Sequence, residues 1–226
     1  MLFQKKLPKG KFKTFSSIDK IDSSNFYFFV HQVHGSKIIE LKSVGDERDL
    51  GEADGILVYD TLLNINKKNT LPSLLIKTAD CLPIVILGEF GYAFLHAGWR
   101  GLQQKIIANS ILKKIEPYYV FIGPSICKNC YVVSEEMFDY FDRKFFIKDF
   151  NENNFNENNF NKNNNKDEKK LYLDLLEVAK EQIYENFPNI DYKNIVYSKK
   201  CTFCERKFNS FRRDKNEKRN YNLYIP

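Results

Sequence analysis

Only three histidines, His31, His34 and His96, occur in this 226-residue chain, so any site built from several imidazoles must draw on most of them. Five cysteines are an odd number. In a chain without an export signal they read as reduced thiols, ligands or nucleophiles more readily than as bridges. Cys81 precedes an apolar run at 82–87, and His96 closes a second run at 92–96. Between the runs lies Gly88-Glu89-Phe90-Gly91, a four-residue connection with a glycine at each end, which predicts a hairpin. If residues 87 and 92 are opposite, Cys81 faces Gly98 and His96 faces Pro83. Cys81 and His96 are then diagonal neighbours on one face, with backbones ~7–8 Å apart, close enough for both tips to reach one atom. A slip of one residue would turn them to opposite faces. The plainer reading of the pair is a buried thiol beside a hydrogen-bonded histidine.

His31 and His34 are three apart, so in an extended chain they point to opposite faces and only one is expected to join the site. The glycine after His34 permits close backbone approach and favours His34, leaving His31 structural. His34, Cys81 and His96 would give zinc three ligands and leave the fourth position for water or substrate, the pattern of a catalytic site.

The other cysteines form two C-x-x-C pairs, Cys127 with Cys130 and Cys201 with Cys204. Such pairs signal one zinc when roughly 15–20 residues separate them. Here seventy intervene, so the spacing favours separate thiols near a buried turn over a second metal. Of seven arginines, Arg100, Arg212 and Arg213 lie in glycine- or aromatic-rich surroundings. A guanidinium grips phosphate through two parallel hydrogen bonds. A solvated pair on an edge strand is the plainer reading of Arg212 and Arg213.

These residues need a scaffold, and the composition allows one. Apolar residues make up 43% of the chain, within the globular range once the ten glycines are added. Short β-type runs alternate with turn signals at 26–30, 37–41, 55–59, 73–77, 83–87, 92–96 and 118–122, with further strands expected at 194–198, 208–212 and 221–225. Helical periodicity is read at 102–115, at 135–146 behind a Ser134 cap, and at 171–187. The mixture predicts α+β. Residues 151–170 carry ten asparagines and a repeated NENNF pentad, read as a low-complexity surface insertion in a single domain spanning 1–226. The longest apolar run, 82–87, is far short of the ~18 residues a membrane span needs. The N-terminus lacks the apolar block of a secretory signal, so a cytoplasmic protein is expected. Of the net charge of +6, all resides between Ile195 and Arg219, where nine basic residues face three acidic ones. That stretch reads as a solvated face that could attract phosphate.

The stretches HQVHGSKI (31–38), EADGILV (52–58), TADCLPIVI (78–86), HAGWRGL (96–102), IGPSICKNCYVV (122–133), LDL (173–175) and CTFCERKFNSFRRD (201–214) resemble, in order, the motifs of the YfiH-like purine nucleoside phosphorylases, formerly labelled polyphenol oxidases or laccase-domain proteins. The resemblance runs from about His31 to Arg219. It implies a cytosolic enzyme with one zinc and phosphate as co-substrate, acting on adenosine, inosine, guanosine and methylthioadenosine, with adenosine deamination as a second activity. It places the zinc on His34, Cys81 and His96. It also implies an α+β fold of two mixed β-sheets packed between helical layers, similar to the catalytic domain of a cytotoxic necrotizing factor. The chain departs from the family in its shorter N-terminal portion and in residues 215–219, which replace a glycine-containing tail.

Phosphorolysis breaks the bond between a purine nitrogen and a ribose carbon, so positive charge develops on the sugar and negative charge on the base. Arg212 and Arg213, with Arg100, are expected to hold phosphate while zinc positions the nucleoside. Deamination would use a water whose pKa zinc lowers to roughly 7. Asp80 and Asp54 are the candidate proton carriers, with orientation of the ligands as the alternative role of either. We assign Asp80 and Arg100 to catalysis, and Asp54, Arg212 and Arg213 to substrate binding. A nucleobase deaminase of the H-x-E and P-C-x-x-C type is excluded, because His31-Gln32-Val33 lacks the glutamate. Three histidines are too few for a multicopper oxidase. Two rivals remain: a hydrolase with Cys81 as nucleophile and His96 as base, and a zinc-ribbon module binding nucleic acid through its basic C-terminus, with metal on Cys127, Cys130, Cys201 and Cys204. The second leaves the histidines idle. A homo-oligomer is compatible with the sequence.

Overall fold

The structure, a computed structural model, describes residues 1–22, 26–45, 47–64, 70–148 and 170–226. The first half holds strands β1 (Phe3–Lys6), β2 (Lys11–Phe15), β3 (Tyr27–His31), β4 (Ile38–Leu41), β5 (Asp49–Glu52), β6 (Gly55–Tyr59), β7 (Ser73–Thr78), β8 (Leu82–Gly88), β9 (Gly91–Ala97) and β10 (Pro117–Ile122), of which β1, β2 and β5 lie outside the runs read from the sequence. Three short strands follow, β11 (Val132–Val133), β12 (Phe146–Lys148) and β13 (Leu171–Leu173), then β14 (Ile195–Tyr197) and β15 (Asn220–Ile225). One six-stranded sheet has the order β1-β2-β15-β7-β3-β5 and the other β14-β10-β8-β9-β6-β4, with β11-β13-β12 as a small third sheet. Both large sheets mix parallel and antiparallel pairs, as expected of the α+β architecture.

Every residue of β8 and β9 is buried, because their sheet is covered on both faces. Alternate side chains diverge. Val85, Leu87, Tyr92 and Phe94 enter the core shared with Phe12, Phe28, Leu74, Ile76 and Tyr224 of the other sheet. Ile84, Ile86, Ala93 and Leu95 enter a core on the opposite face, with Val178, Ala179 and Ile183 of a helix. At roughly 1.5–3 kcal/mol for each large side chain fully buried, these two layers hold the hairpin rigidly. Among the described residues, the outer face of the first sheet carries a small buried cluster of Phe15, Ile21, Leu75 and Leu223.

The hairpin register is the expected one, with Leu87 opposite Tyr92 and Pro83 opposite His96. Pairing continues to Gly88 and Gly91, however, so the connection is the two residues Glu89-Phe90. The glycines serve close approach: a Cβ on Gly88 would lie 2.0 Å from Ile115 O, and one on Gly91 2.1 Å from Val58 O.

The helix expected at 102–115 is not continuous. It divides into α1 (Trp99–Gln103) and 3-10 turns at Ile106–Ala108 and Ser110–Ile115, because Lys105 adopts φ 56°, which no α-helix accommodates. The segment 135–146 is likewise two 3-10 turns, Glu135–Asp139 and Arg143–Phe145, running into β12, and Ser134 makes no side-chain cap bond. In 171–187 the first residues form β13, and Asp174 starts α2 (Leu175–Asn186) by accepting the Glu177 N–H at 3.1 Å. The strand expected at 208–212 is replaced by α3 (Phe211–Asp214), which Ser210 caps through the Arg213 N–H at 3.2 Å. The asparagine-rich tract lies outside the described residues apart from Lys170. Among the described residues no helix is long and apolar enough to cross a membrane.

Candidate active site

His96 stands near the end of β9, and Cys81 immediately precedes β8, so the hairpin register brings the two together. His34 reaches them from the loop after β3. Extended-chain alternation is not the reason: the chain turns at His34, which adopts φ 60°, and Asp80 next to Cys81 adopts φ 99°. Non-glycine residues hold such angles where surrounding contacts impose them. For the first loop the contact is Asp54, fully buried just before β6. Its carboxylate accepts the N–H groups of Val33, His34 and Gly35 at 3.3, 3.0 and 2.6 Å, and meets His96 Nδ1 at 2.8 Å. One side chain thereby fixes both histidines. His31 stays outside the cluster, exposed and paired with Asp49 at 2.5 Å.

The ligand atoms of His34, Cys81 and His96 all lie within 4.8 Å of one another, and the two rings meet edge to face at a centroid distance of 4.8 Å. Gly98, opposite Cys81 as the register requires, leaves room for the sulfur: a Cβ there would stand 2.9 Å from Cys81 Sγ and 3.4 Å from His34 Cδ2. Sequence reasoning found Gly98 as a register partner and missed that its lack of a side chain is what lets the cluster close. Burial pushes the Cys81 thiol up, but the neighbouring imidazoles, His96 foremost, outweigh it and bring it down to about 6. Burial likewise pushes His96 down, and the Cys81 sulfur and Asp54 together raise it to about 9. Burial of Asp54 is overcome by the His96 ring and the Gly35 N–H, which hold its carboxyl below the usual range. The donor set fits zinc: one thiolate and two imidazoles, with Asp54 on Nδ1 of His96 directing Nε2 to the metal side. His34 is exposed and His96 is 2% exposed, so the cluster opens to solvent on the His34 side.

Asp80 is buried, and both its oxygens are engaged, Oδ1 by the Thr202 hydroxyl at 2.7 Å and Oδ2 by the Arg212 N–H at 2.7 Å. Arg213 donates from Nε and Nη2 to Asp214, from Nη1 to the carbonyls of Thr202 and Phe203, and from Nη2 to that of Phe208. These five bonds spend all five of its N–H groups on the fold. Arg212 lies over the Tyr131 ring at 4.8 Å and donates to Val132 O at 2.6 Å. Arg100 is exposed and lies over the Trp99 ring at 4.7 Å. Thr202, which links Asp80 to the 201–204 loop, had no distinguishing sequence signal.

Residues 12–223 match a protein family described as multi-copper polyphenol oxidoreductase laccase. The chain is 30% identical over 213 residues to a purine nucleoside phosphorylase of Aquifex aeolicus, covering 92% of this chain and 84% of that protein. It is 30% identical over 203 residues to the Campylobacter jejuni purine nucleoside phosphorylase Cj1217c, covering 84% and 73%. A third relative, adenosine deaminase RL5 from an unknown prokaryotic organism, is 29% identical over 139 residues, covering 58% and 48%. Among solved structures, Bacillus licheniformis YfiH superposes with a TM-score of 0.65 at 23% identity, over 88% of this chain and 73% of that one, a likeness of fold.

Proposed function

Since the chain belongs to the YfiH-like family that the match to residues 12–223 defines, we propose that it is a zinc-dependent purine nucleoside phosphorylase. Its substrates are adenosine, inosine, guanosine and methylthioadenosine with phosphate, adenosine deamination is a second activity, and the cytoplasm is its place of action. The observation that carries this reading is the convergence of His34, Cys81 and His96 behind a single buried carboxylate. Three histidines, one of them paired with Asp49 away from the cluster, do not furnish a multicopper centre.

His34, Cys81 and His96 would hold the zinc, which when bound supplies Lewis-acid polarisation at an open ligand position. Asp54 keeps His96 in one tautomer and orientation and holds the His34 loop in its turned conformation. Asp80 is a positioning residue, its carboxylate occupied in joining Thr202 and the start of α3 to the residue before Cys81. Arg212 and Arg100 remain the residues for phosphate. Arg213, expected to share that task, is committed to backbone carbonyls and Asp214.

The test is phosphate-dependent release of hypoxanthine from inosine by wild type and His96→Ala, with zinc measured in both. We expect the variant to lose activity together with metal. Activity surviving in His96→Ala would defeat the reading. The Cys-His hydrolase is the second reading, favoured by the same Cys81, His96 and Asp54 alignment. It would show itself as thiol-dependent activity in metal-free protein, indifferent to phosphate.

A further inference from the structure

Four thiols take no part in the site above, and the fold brings them together. β10 pairs in parallel with β14, Ile122 opposite Tyr197, so both chains leave the sheet at the same end. Cys127 and Cys201 follow a few residues later. Ser125 then bridges to Cys201, and the Thr202 N–H donates to Ser125 O at 3.0 Å. Seventy residues of sequence are thereby reduced to adjacent loops, which overturns the expectation of separate thiols. The sulfurs of Cys127, Cys130, Cys201 and Cys204 all lie within 4.8 Å of one another, with 3.5 Å between Cys127 and Cys130 and 3.3 Å between Cys130 and Cys204, and none is bridged. Four sulfurs at ~2.3 Å from one tetrahedral zinc are about 3.8 Å apart, which falls inside that range. The N–H groups of Cys127 and Cys204 both donate to Cys201 Sγ, at 3.3 and 3.4 Å, a contact that stabilises a thiolate.

We infer that Cys127, Cys130, Cys201 and Cys204 bind a second zinc ion in a closed tetrathiolate site whose role is structural. All four positions are filled by protein sulfur, so no place is left for water or substrate. The ion would pin the loop of 125–130 to the loop of 201–204. Both loops hold Asp80, through the Ile126 N–H on its carbonyl at 2.9 Å and the Thr202 hydroxyl on its carboxylate. The clamp therefore supports the residue next to Cys81 without touching the metal there.

Zinc content of the purified full-length chain, measured by elemental mass spectrometry under reducing conditions, tests this. About two zinc ions per chain are expected in wild type and about one in Cys81→Ala, which leaves the tetrathiolate intact. Loading Cys81→Ala with cobalt should give thiolate-to-metal charge-transfer bands and the visible bands of a tetrahedral ion, and Cys81→Ala combined with Cys204→Ser should lose them. Wild type with one zinc, lost entirely in Cys81→Ala, would overturn the inference whether or not the Cys204 variant folds. So would intact unreduced protein lighter by two hydrogens for each cysteine pair, which would show bridges in place of a metal.

Discussion

Asp80 connects two cysteine-containing clusters, as the neighbour of Cys81 in one and by hydrogen bonds to the loops of the other, and they differ in the feature that separates chemistry from support. The cluster of His34, Cys81 and His96 offers three ligands of two kinds and exposes one of them. The cluster of Cys127, Cys130, Cys201 and Cys204 offers four of one kind, which completes a tetrahedron. Electrostatics follow the composition. Beside two imidazoles the Cys81 thiol falls to about 6. Among other thiols, Cys127 is pulled down by its hydrogen bond to Cys130, yet Cys201 and burial carry it up to about 12. Cys130 is raised by its thiol neighbours, and Cys201, which receives their hydrogen bonds, is lowered. A mixed cluster thus readies its own thiolate, whereas a thiol-only cluster needs a cation before its members can all ionise.

The largest effect should come from removing a ligand of the open cluster. His96→Ala is expected to lower kcat/KM for inosine phosphorolysis by roughly 10²–10³-fold, the scale of losing a principal electrostatic contribution. Asp54→Asn, which touches no metal, should cost ~10–100-fold in zinc affinity, read by competition with a chelator. An unchanged affinity would mean that the backbone, and not this carboxylate, orients the histidines.

Thiol reactivity sharpens the contrast further. In metal-free protein the alkylation rate of Cys81 by iodoacetamide should rise with pH through a midpoint near 6, because the thiolate is the reacting form and its proton leaves there. At pH 7 its thiolate fraction should exceed that of an ordinary thiol, with pKa about 8.5, by roughly 30-fold. Cys127, whose thiol is raised, should stay unreactive across that range. Peptide mapping distinguishes the two positions, and equal rates would remove the electrostatic difference between the clusters.

What was legible in the sequence follows the same division. The Cys81 and His96 pairing could be calculated because a short hairpin fixes register locally, and the structure has Pro83 opposite His96 as the arithmetic required. Extended geometry allowed only one of His31 and His34 at the site, and Gly35 favoured His34, but the chain abandons that geometry at φ 60°, a conformation imposed by the distant Asp54. The helix read at 102–115 failed at Lys105, where periodicity carries no sign of a left-handed residue. The four cysteines were read as a metal site only in the zinc-ribbon rival and disfavoured on spacing, because their two halves meet only through the parallel pairing of β10 with β14. Nonlocal pairing of this kind leaves no trace in spacing. The strand read at 208–212 lost to a local signal that was present, the Ser210 cap.

Gly98→Ala probes how tightly the open cluster is built. Gly98 has φ −83°, so alanine meets no backbone strain, and the expected cost is steric only: a methyl group 2.9 Å from Cys81 Sγ. Displacing the sulfur should destabilise the protein by about 1–3 kcal/mol and weaken zinc binding. Unchanged zinc affinity would show that the cluster can relax around an added carbon.

The smallest effect on substrate binding, and the one that best separates scaffold from site, is expected at Arg213. Lysine keeps the charge but carries three donors in place of five, so at least two of the bonds to Thr202, Phe203, Phe208 and Asp214 must be lost. At about 0.5–1.5 kcal/mol for each, and roughly 2–4 °C per kcal/mol for a chain of this length, Arg213→Lys should lower the thermal midpoint by several degrees. The KM for phosphate should not move, since no N–H of Arg213 is left to bind it. A raised phosphate KM with an unchanged midpoint would reverse the assignment and return Arg213 to the substrate, leaving the 201–204 loop to be held by its cysteines and Asp80 alone.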